Sequence, residues 1–596
     1  LPICSIKAQK CAVGSKQRTW EGYKKEDGAS PTVATDSVIV TSVIEAHEER
    51  DNATLDLPGA YLHAKNDEHI IMLLKGKLAE LLVQVDPSMY RKYVITNSKG
   101  EPMLYVKLAK ALYGLLKSAL LFYKKLRGEL EDMGFEVNPY DPCVANKTIN
   151  GTQMTVCWHV DDLKVSHKDP MEVTKFIMAM GHIYGSKMSV TRGKVHEYLG
   201  MDLDYTGKKN VKISMIKYVD KVIKDFPERV TTKSATPASE HLFDISENDP
   251  GKLLPEEQAQ DFHHTVAQLL FLCMRARPDL KTAVSFLTTR VKAPDEHDWG
   301  KLKRVIKYLV GTKHLKLTLS VDNMNTIRWW VDASFGTHWD SKGHTGAMMS
   351  FGKGAAMSLS KKQKLNARSS TESELIGIDD AIPSIMWLLY FIKAQGYEVT
   401  HNILYQDNKS TILLATNGRM SSSKRTKHIH HRYFLVKDKV DRGELEIKHE
   451  GTDKMWSDVL TKPKQGRPFY IMRAELMNCP VDYDDAVEAA LTHPKLLPRD
   501  EGAATTAIDD SVLKKAVFDS YMSMPKQTDP VKHRRSVLGD LSNQGLPGVK
   551  KGSRTPSGAH LKHAPAGARY PAHVARVRYQ SILAGWKPPE YRVPRQ

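Results

Sequence analysis

The sequence has little cysteine. Six are scattered through 596 residues, at Cys4, Cys11, Cys143, Cys157, Cys273 and Cys479. None form a C-x-x-C pair, so neither a zinc site nor a disulfide framework is indicated, and a reducing, intracellular setting fits. Long apolar runs are also missing. No stretch approaches the ~20 uninterrupted apolar residues of a membrane helix, and no membrane partner is expected. The opening Leu1-Pro2-Ile3-Cys4 has neither an initiating methionine nor a signal-peptide pattern. It reads as a fragment, or as a segment of a longer polyprotein. Acidic residues are outnumbered, 69 Asp and Glu against 87 Lys and Arg, for a net charge of +18. Such an excess favours phosphate-rich partners through counterion release, although a generic basic protein carries it too.

The length predicts roughly four domains. Asp36 to His47 reads as a helix, with Asp36 as its cap. Ala53-Thr-Leu-Asp56 reads as a short strand ending on a carboxylate, and Leu104-Tyr-Val106 as another. Ser118 to Met133 is an amphipathic helix with Phe122, Leu126 and Leu130 on one face. Asn150-Gly151 marks a hairpin, whose second strand, Thr155 to Val160, runs into Asp161-Asp162 before Leu163-Lys-Val165 resumes extended structure. Phe262 to Leu309 is helical with breaks at Pro278 and Pro294, and a new domain opens near Asn325 with the strand Ile327 to Val331. Beyond about Asp485, Pro, Gly, Lys, Arg and His dominate and apolar periodicity fades; this tail reads as basic and mostly disordered. No internal repeat is visible.

Phosphoryl transfer to a nucleic-acid end uses two hard cations about 4 Å apart. Magnesium favours carboxylate oxygens, so such a site needs two or three acidic side chains at neighbouring strand ends, open to solvent on one side. Asp56 and the Asp161-Asp162 pair fit that requirement. Adjacent like charges at an apolar hairpin are costly unless a cation or exposure relieves them; they also fit a plain turn, where Asp is common. A second set lies downstream: Asp332 after the Ile327 strand, Glu374 at the start of a long helix, Asp407 after the strand Ile403-Leu-Tyr405, and Asp458. Each has a structural alternative. Thr371-x-x-Glu374 also reads as a capping box, and Asp407-Asn408 as a turn start.

The surrounding residues resemble the reverse transcriptases of copia-type (Pseudoviridae-like) retrotransposons. The resemblance is carried by Asp56-Leu-Pro-Gly-Ala-Tyr-Leu62, by Lys110-Ala-Leu-Tyr-Gly-Leu-Leu-Lys-Ser118 with Phe122-Tyr123, by His159-Val-Asp-Asp162, and by Tyr198-Leu-Gly-Met-Asp-Leu203. His159 replaces the usual aromatic of its motif, and Ala119 stands where many relatives have proline. Val331-Asp-Ala-Ser334, Ser369-Ser-Thr-Glu-Ser-Glu374, Gln406-Asp-Asn408, Lys427-His-Ile429 and Ser457-Asp-Val-Leu-Thr-Lys462 resemble the ribonuclease H domain of the same elements.

The resemblance implies an α/β (α+β) chain with a right-hand polymerase of palm, fingers and thumb, then a connection and a ribonuclease H-like mixed sheet. The expected boundaries are 1–235 for an N-terminally truncated fingers and palm with the start of the thumb, 236–324 for thumb and connection helices, 325–484 for the ribonuclease H-like domain, and 485–596 for the tail. It implies that Asp56, Asp161 and Asp162 hold two Mg2+ ions, or Mn2+, for DNA synthesis on RNA, and that Asp332, Glu374, Asp407 and Asp458 hold two more for RNA cleavage. Glu372 is the competing glutamate, and His449 a candidate for product release beside a plain surface reading. Tyr61 would exclude a 2′-hydroxyl. Gly114, Ser118, Lys16 and Arg18 would contact the nucleotide. The expected partners are an RNA template, a DNA primer, the RNA–DNA hybrid and deoxynucleoside triphosphates. The expected setting is a cytoplasmic virus-like particle with access to the nucleus. The competing reading is a degenerate, inactive remnant that still binds nucleic acid.

Overall fold

The computed structural model describes residues 28–185, 187–245, 251–418 and 430–481. Lys16, Arg18, the Lys427-His428-Ile429 segment and the tail from 485 lie outside these residues. All described residues belong to one compact unit.

Four sheets and their covering helices make a mixed α/β fold. The first sheet has six strands in the spatial order Glu136–Val137, Val144–Ile149, Thr152–His159, Asp162–His167, Asp51–Asp56, Ser189–Gly193. Its first hairpin turns at Asn150 and Gly151, whose φ values of 49° and 75° match the right-handed strand twist. Helix Ser118–Asp132 buries Phe122, Leu126 and Leu130 on one face. Helix Thr35–His47 is buried over nearly its whole length; Ala34 occupies its N-cap position and Asp36 its first turn, so Asp36 is not the cap.

A small sheet of Ile71–Lys75, Pro102–Lys107 and Ile95–Thr96 has its own apolar cluster around Leu74, Ala79 and Leu104. Another sheet joins Val195–Tyr198, Met201–Asp204, Asn210–Ser214, Leu317–Val321 and Gly352–Lys353, so strands far apart in sequence share one ladder. The helical stretch breaks near both prolines, into Glu256–Cys273, Lys281–Arg290 and Glu296–Thr312. Asp295 and Asp298 form a reciprocal capping box at the last of these.

The remaining sheet runs Met357–Lys362, His344–Ser350, Thr326–Ser334, His401–Gln406, Glu446–His449. Its central strand, Thr326–Ser334, is antiparallel to His344–Ser350 and parallel to His401–Gln406, and is buried at all but one position. Helix Ser370–Ala394 makes the crossover between Met357–Lys362 and His401–Gln406. This helix is long and apolar enough to span a membrane by composition, yet 67% of its most apolar window is buried inside the protein, as in a core helix.

Candidate functional site

Strand Asp51–Asp56 lies antiparallel to Asp162–His167, with Asp56 directly opposite Asp162. The hairpin between Thr152–His159 and Asp162–His167 pairs His159 with Asp162, leaving Val160 and Asp161 as its tip. Val160 has φ 60°, a conformation that costs a β-branched residue energy and that recurs at functional turns. The Leu57 amide donates to the Asp161 carbonyl at 3.0 Å, and the Tyr198 hydroxyl to the Asp162 carbonyl at 3.3 Å. Backbone pairing therefore places Asp56, Asp161 and Asp162 at one edge of the sheet, without drawing all three carboxylates within 4.8 Å of one another. Partial burial, then the Asp161 and Asp56 charges, pushes Asp162 up to about 6. Partial burial also raises Asp161, with Asp56 adding to the effect.

Tyr61 packs against Tyr113 with ring centroids 4.4 Å apart and against Phe122 at 6.3 Å. Burial and the Asp161 charge raise both tyrosine hydroxyls. Tyr113 was missed from sequence; it lies inside a motif that was read only for its glycine and serine. Gly114 has φ 94°, which only glycine adopts readily. Ser118 lies at the start of helix Ser118–Asp132. Its buried hydroxyl donates to the Leu112 carbonyl at 2.7 Å and accepts from the Leu112 amide at 3.2 Å, so it closes the 112–118 loop.

In the second set, Asp332, Glu374 and Asp407 bring carboxylate oxygens within 4.8 Å of one another, the one such group of three among the described residues. Asp332 lies inside its strand rather than at the end, two residues before Ser334. Asp407 follows the parallel neighbour His401–Gln406. The carboxyl ends of two adjacent parallel strands and the first turns of the crossover helix thus converge, the usual place for a site in such sheets.

The helix cap discriminates between the two glutamates. Ser369 is the N-cap and accepts from the Glu372 amide, while the Glu372 carboxylate accepts from the Arg368 amide at 2.7 Å. The cap is therefore built by Ser369 and Glu372, not by Thr371 and Glu374, and Glu374 is left to face the cluster. Asn408, not Asp407, caps the next helix, accepting from the Thr411 amide at 3.1 Å.

Burial pushes Asp332 up to about 6 against the opposing pull of Lys462, with the Asp458 and Asp407 charges adding to the rise. Burial, Asp332 and Asp407 raise Glu374 well above the usual carboxylate range. Buried Gln406, also missed from sequence, donates to Glu374 Oε2 at 3.3 Å and to the Val331 carbonyl at 3.2 Å. An all-oxygen donor set whose anionic forms repel one another fits a hard divalent cation.

Asp458 stands apart from this group of three. It is paired with Lys462 at 2.5 Å and with Lys464. Burial pushes it up, but the two lysines outweigh that and hold it below its ordinary value. Lys462 also lies 3.6 Å from Asp332, and Thr461 donates to Asp332. His449 is exposed at the end of the edge strand, opposite Gln406.

Residues 3–240 match the family model described as reverse transcriptase (RNA-dependent DNA polymerase). The chain is 25% identical over 468 residues to the retrovirus-related Pol polyprotein from transposon TNT 1-94 of Nicotiana tabacum, covering 77% of this chain and 33% of the relative. It is 24% identical over 461 residues to the Pol polyprotein from transposon RE2 of Arabidopsis thaliana, covering 77% and 29%. The chain thus spans about a third of the length of these curated relatives. Among solved structures, a foamy viral protease-reverse transcriptase in complex with double-stranded DNA aligns with TM-score 0.39 and 12% identity, over 67% of this chain and 57% of that one. Residues 3–240 thus match the reverse transcriptase family model, and the chain is similar to the Pol regions of copia-type LTR retrotransposons over 77% of its length.

Proposed function

We infer that the chain is an RNA-directed DNA polymerase that also degrades the RNA of the hybrid it makes. The observation that carries this reading is the presence of two separate carboxylate sets, each built around its own sheet, the first within the reverse transcriptase region. Asp56, Asp161 and Asp162 would hold one pair of magnesium ions; Asp332, Glu374 and Asp407 would hold the other, with Asp458 joining once its lysines give way. Such ions supply Lewis acidity, activating a hydroxyl or water and stabilising charge on phosphate oxygens. The protein's own contribution is placement. The hairpin tip aims Asp161 beside Asp56. Tyr61, backed by Tyr113, fills the space a ribose 2′-hydroxyl would need. Gln406 orients Glu374, and Lys462 offers a cation for a phosphate oxygen. The partners would be an RNA template, a DNA primer and deoxynucleoside triphosphates, in a cytoplasmic particle with access to the nucleus.

The pairing of Asp458 with two lysines favours one alternative, a remnant that binds nucleic acid without catalysis. One experiment separates them. Purified protein with magnesium, an RNA template and a labelled DNA primer is expected to extend the primer and shorten the RNA. Salt-sensitive binding to the hybrid with neither reaction would overturn the enzymatic reading in favour of the remnant.

A further inference from the structure

The two carboxylate sets lie on different sheets, yet one buried side chain touches the scaffold of both. Arg50 directly precedes strand Asp51–Asp56, and its side chain is wholly buried. Its Nη1 donates to Thr155 Oγ1 at 2.9 Å and Ser166 Oγ at 3.3 Å. Those two residues are directly paired in the hairpin whose tip carries Asp161. Its Nη2 donates to Gln153 Oε1 at 3.2 Å and to the Tyr397 hydroxyl at 3.0 Å, and its Nε to Glu48 at 2.9 Å. The Tyr397 hydroxyl in turn donates to Glu48 Oε1 at 2.9 Å.

Tyr397 lies just beyond helix Ser370–Ala394, whose early turns carry Glu374. The far end of the same helix continues the contact. Gln153 donates to the Gln395 carbonyl at 2.6 Å, Trp387 to the Tyr140 carbonyl at 3.0 Å, and Tyr140 stacks on Tyr390 at 5.5 Å. A guanidinium is a planar fork of fixed geometry, and a buried one left without partners is strongly disfavoured. Its bonds to the hairpin and to Tyr397 therefore hold together or fail together.

We propose that the Arg50–Tyr397 contact is a positioning clamp that fixes the separation between the two carboxylate sets, so that RNA is cut at a set interval behind the point of DNA synthesis. The interval part rests on the functional reading above; the clamp itself does not. Tyr397→Phe removes only the hydroxyl that joins Arg50 and Glu48. Loss of its two buried hydrogen bonds, from Arg50 and to Glu48, shifts the closed-to-open ratio by at least roughly tenfold.

Two readouts test this on the full chain. In a background with Cys4, Cys11 and Cys479 replaced by serine, spin labels at Thr191→Cys and Ser410→Cys report the distance between the two sheets. The parent should give one narrow distance distribution, and Tyr397→Phe a broad one. In running-start synthesis on a uniform RNA template, the spacing between primer terminus and RNA cut should be narrow in the parent and spread in the variant. Primer extension alone, and cleavage of a preformed hybrid alone, should be unchanged. If Tyr397→Phe lowers the melting temperature sharply, Gln153→Met, which breaks the neighbouring ties, replaces it. Distances as narrow in both variants as in the parent would overturn the clamp, and broadened distances with an unchanged cut interval would overturn its role in setting that interval. A parent that neither extends nor cleaves would count against the functional reading alone, since the spin-label distances still decide the clamp.

Discussion

Asp332 and Glu374, 1% and 7% exposed, hold carboxylate oxygens within 4.8 Å of each other with Asp407 as the third member. Buried like charges this close raise the free energy of the metal-free protein, and a divalent cation relieves them. Magnesium or manganese should therefore raise the melting temperature. At a hundred times the dissociation constant, the stabilisation would be about 2.7 kcal/mol. Differential scanning calorimetry with and without the ion checks this. Asp332→Asn and Glu374→Gln should remove most of the increment, and an undiminished increment in both would place the bound ion elsewhere.

The two glutamates of the crossover helix should separate function from stability. Glu372 belongs to the helix start, so Glu372→Gln and Ser369→Ala should each cost about 1 kcal/mol of stability and leave RNA cleavage intact. Glu374→Gln should do the reverse, lowering cleavage by at least about a hundredfold while leaving the metal-free protein as stable or more so. Denaturant melts beside a hybrid-cleavage assay decide it. Cleavage lost with Glu372→Gln and kept with Glu374→Gln would exchange the two assignments.

The same logic distinguishes the two sites from each other. Asp161→Asn should abolish primer extension and leave cleavage of a preformed hybrid, whereas Asp332→Asn should do the opposite. Separate assays of each reaction read this out. Loss of both reactions in either variant would mean that the sets are not independent.

Much of this was legible beforehand because it is local. Asn150-Gly151 specifies a tight turn, and the Asp161-Asp162 hairpin follows from the strands on either side. The helix with Phe122, Leu126 and Leu130 is written in its period. What was not legible depends on contacts across long separations. The capping pair shifted by two residues because Ser369, not Thr371, takes the extended conformation that lets a side chain reach back to the helix amides. The Ser118 bond to Leu112 closes a loop that no spacing rule records. Gln406, Tyr113 and the Lys462 and Lys464 pair became visible only once strands from three parts of the chain had been brought side by side.

Tyr61 and Tyr113 make a paired aromatic wall beside Asp161. Tyr61→Ala should admit ribonucleotides, reducing discrimination against them by roughly tenfold to a hundredfold. Incorporation ratios of matched deoxy- and ribonucleotides measure this. Tyr113→Phe keeps the wall and should leave the ratio unchanged. An unaltered ratio in Tyr61→Ala would reduce Tyr61 to a core aromatic.

His338 and His344 give a pH dependence of stability whose sign can be worked out. His338 Nε2 lies 3.0 Å from His344 Nδ1, and His344 Nε2 lies 2.8 Å from Ser360 Oγ. Burial, with Lys362 and Lys342 facing the pair and only Asp340 opposing them, lowers His338 to about 4. Burial, His338 and Lys362 hold His344 well below its ordinary value. An unfolded histidine titrates near about 6.5. Above that pH neither state is protonated and the pair has no effect on the pH dependence. Between about 6.5 and 4 the unfolded chain takes up protons that the folded chain refuses, so stability falls as pH falls. His338 contributes about 1.4 kcal/mol per pH unit in that window, or about 2 kcal/mol at pH 5, and His344 acts in the same direction. Urea melts between pH 7 and pH 5 should therefore show a steep loss. His338→Gln, which keeps a hydrogen-bonding group and removes one titration, should flatten the slope. An identical slope in wild type and variant would assign the acid sensitivity to other groups.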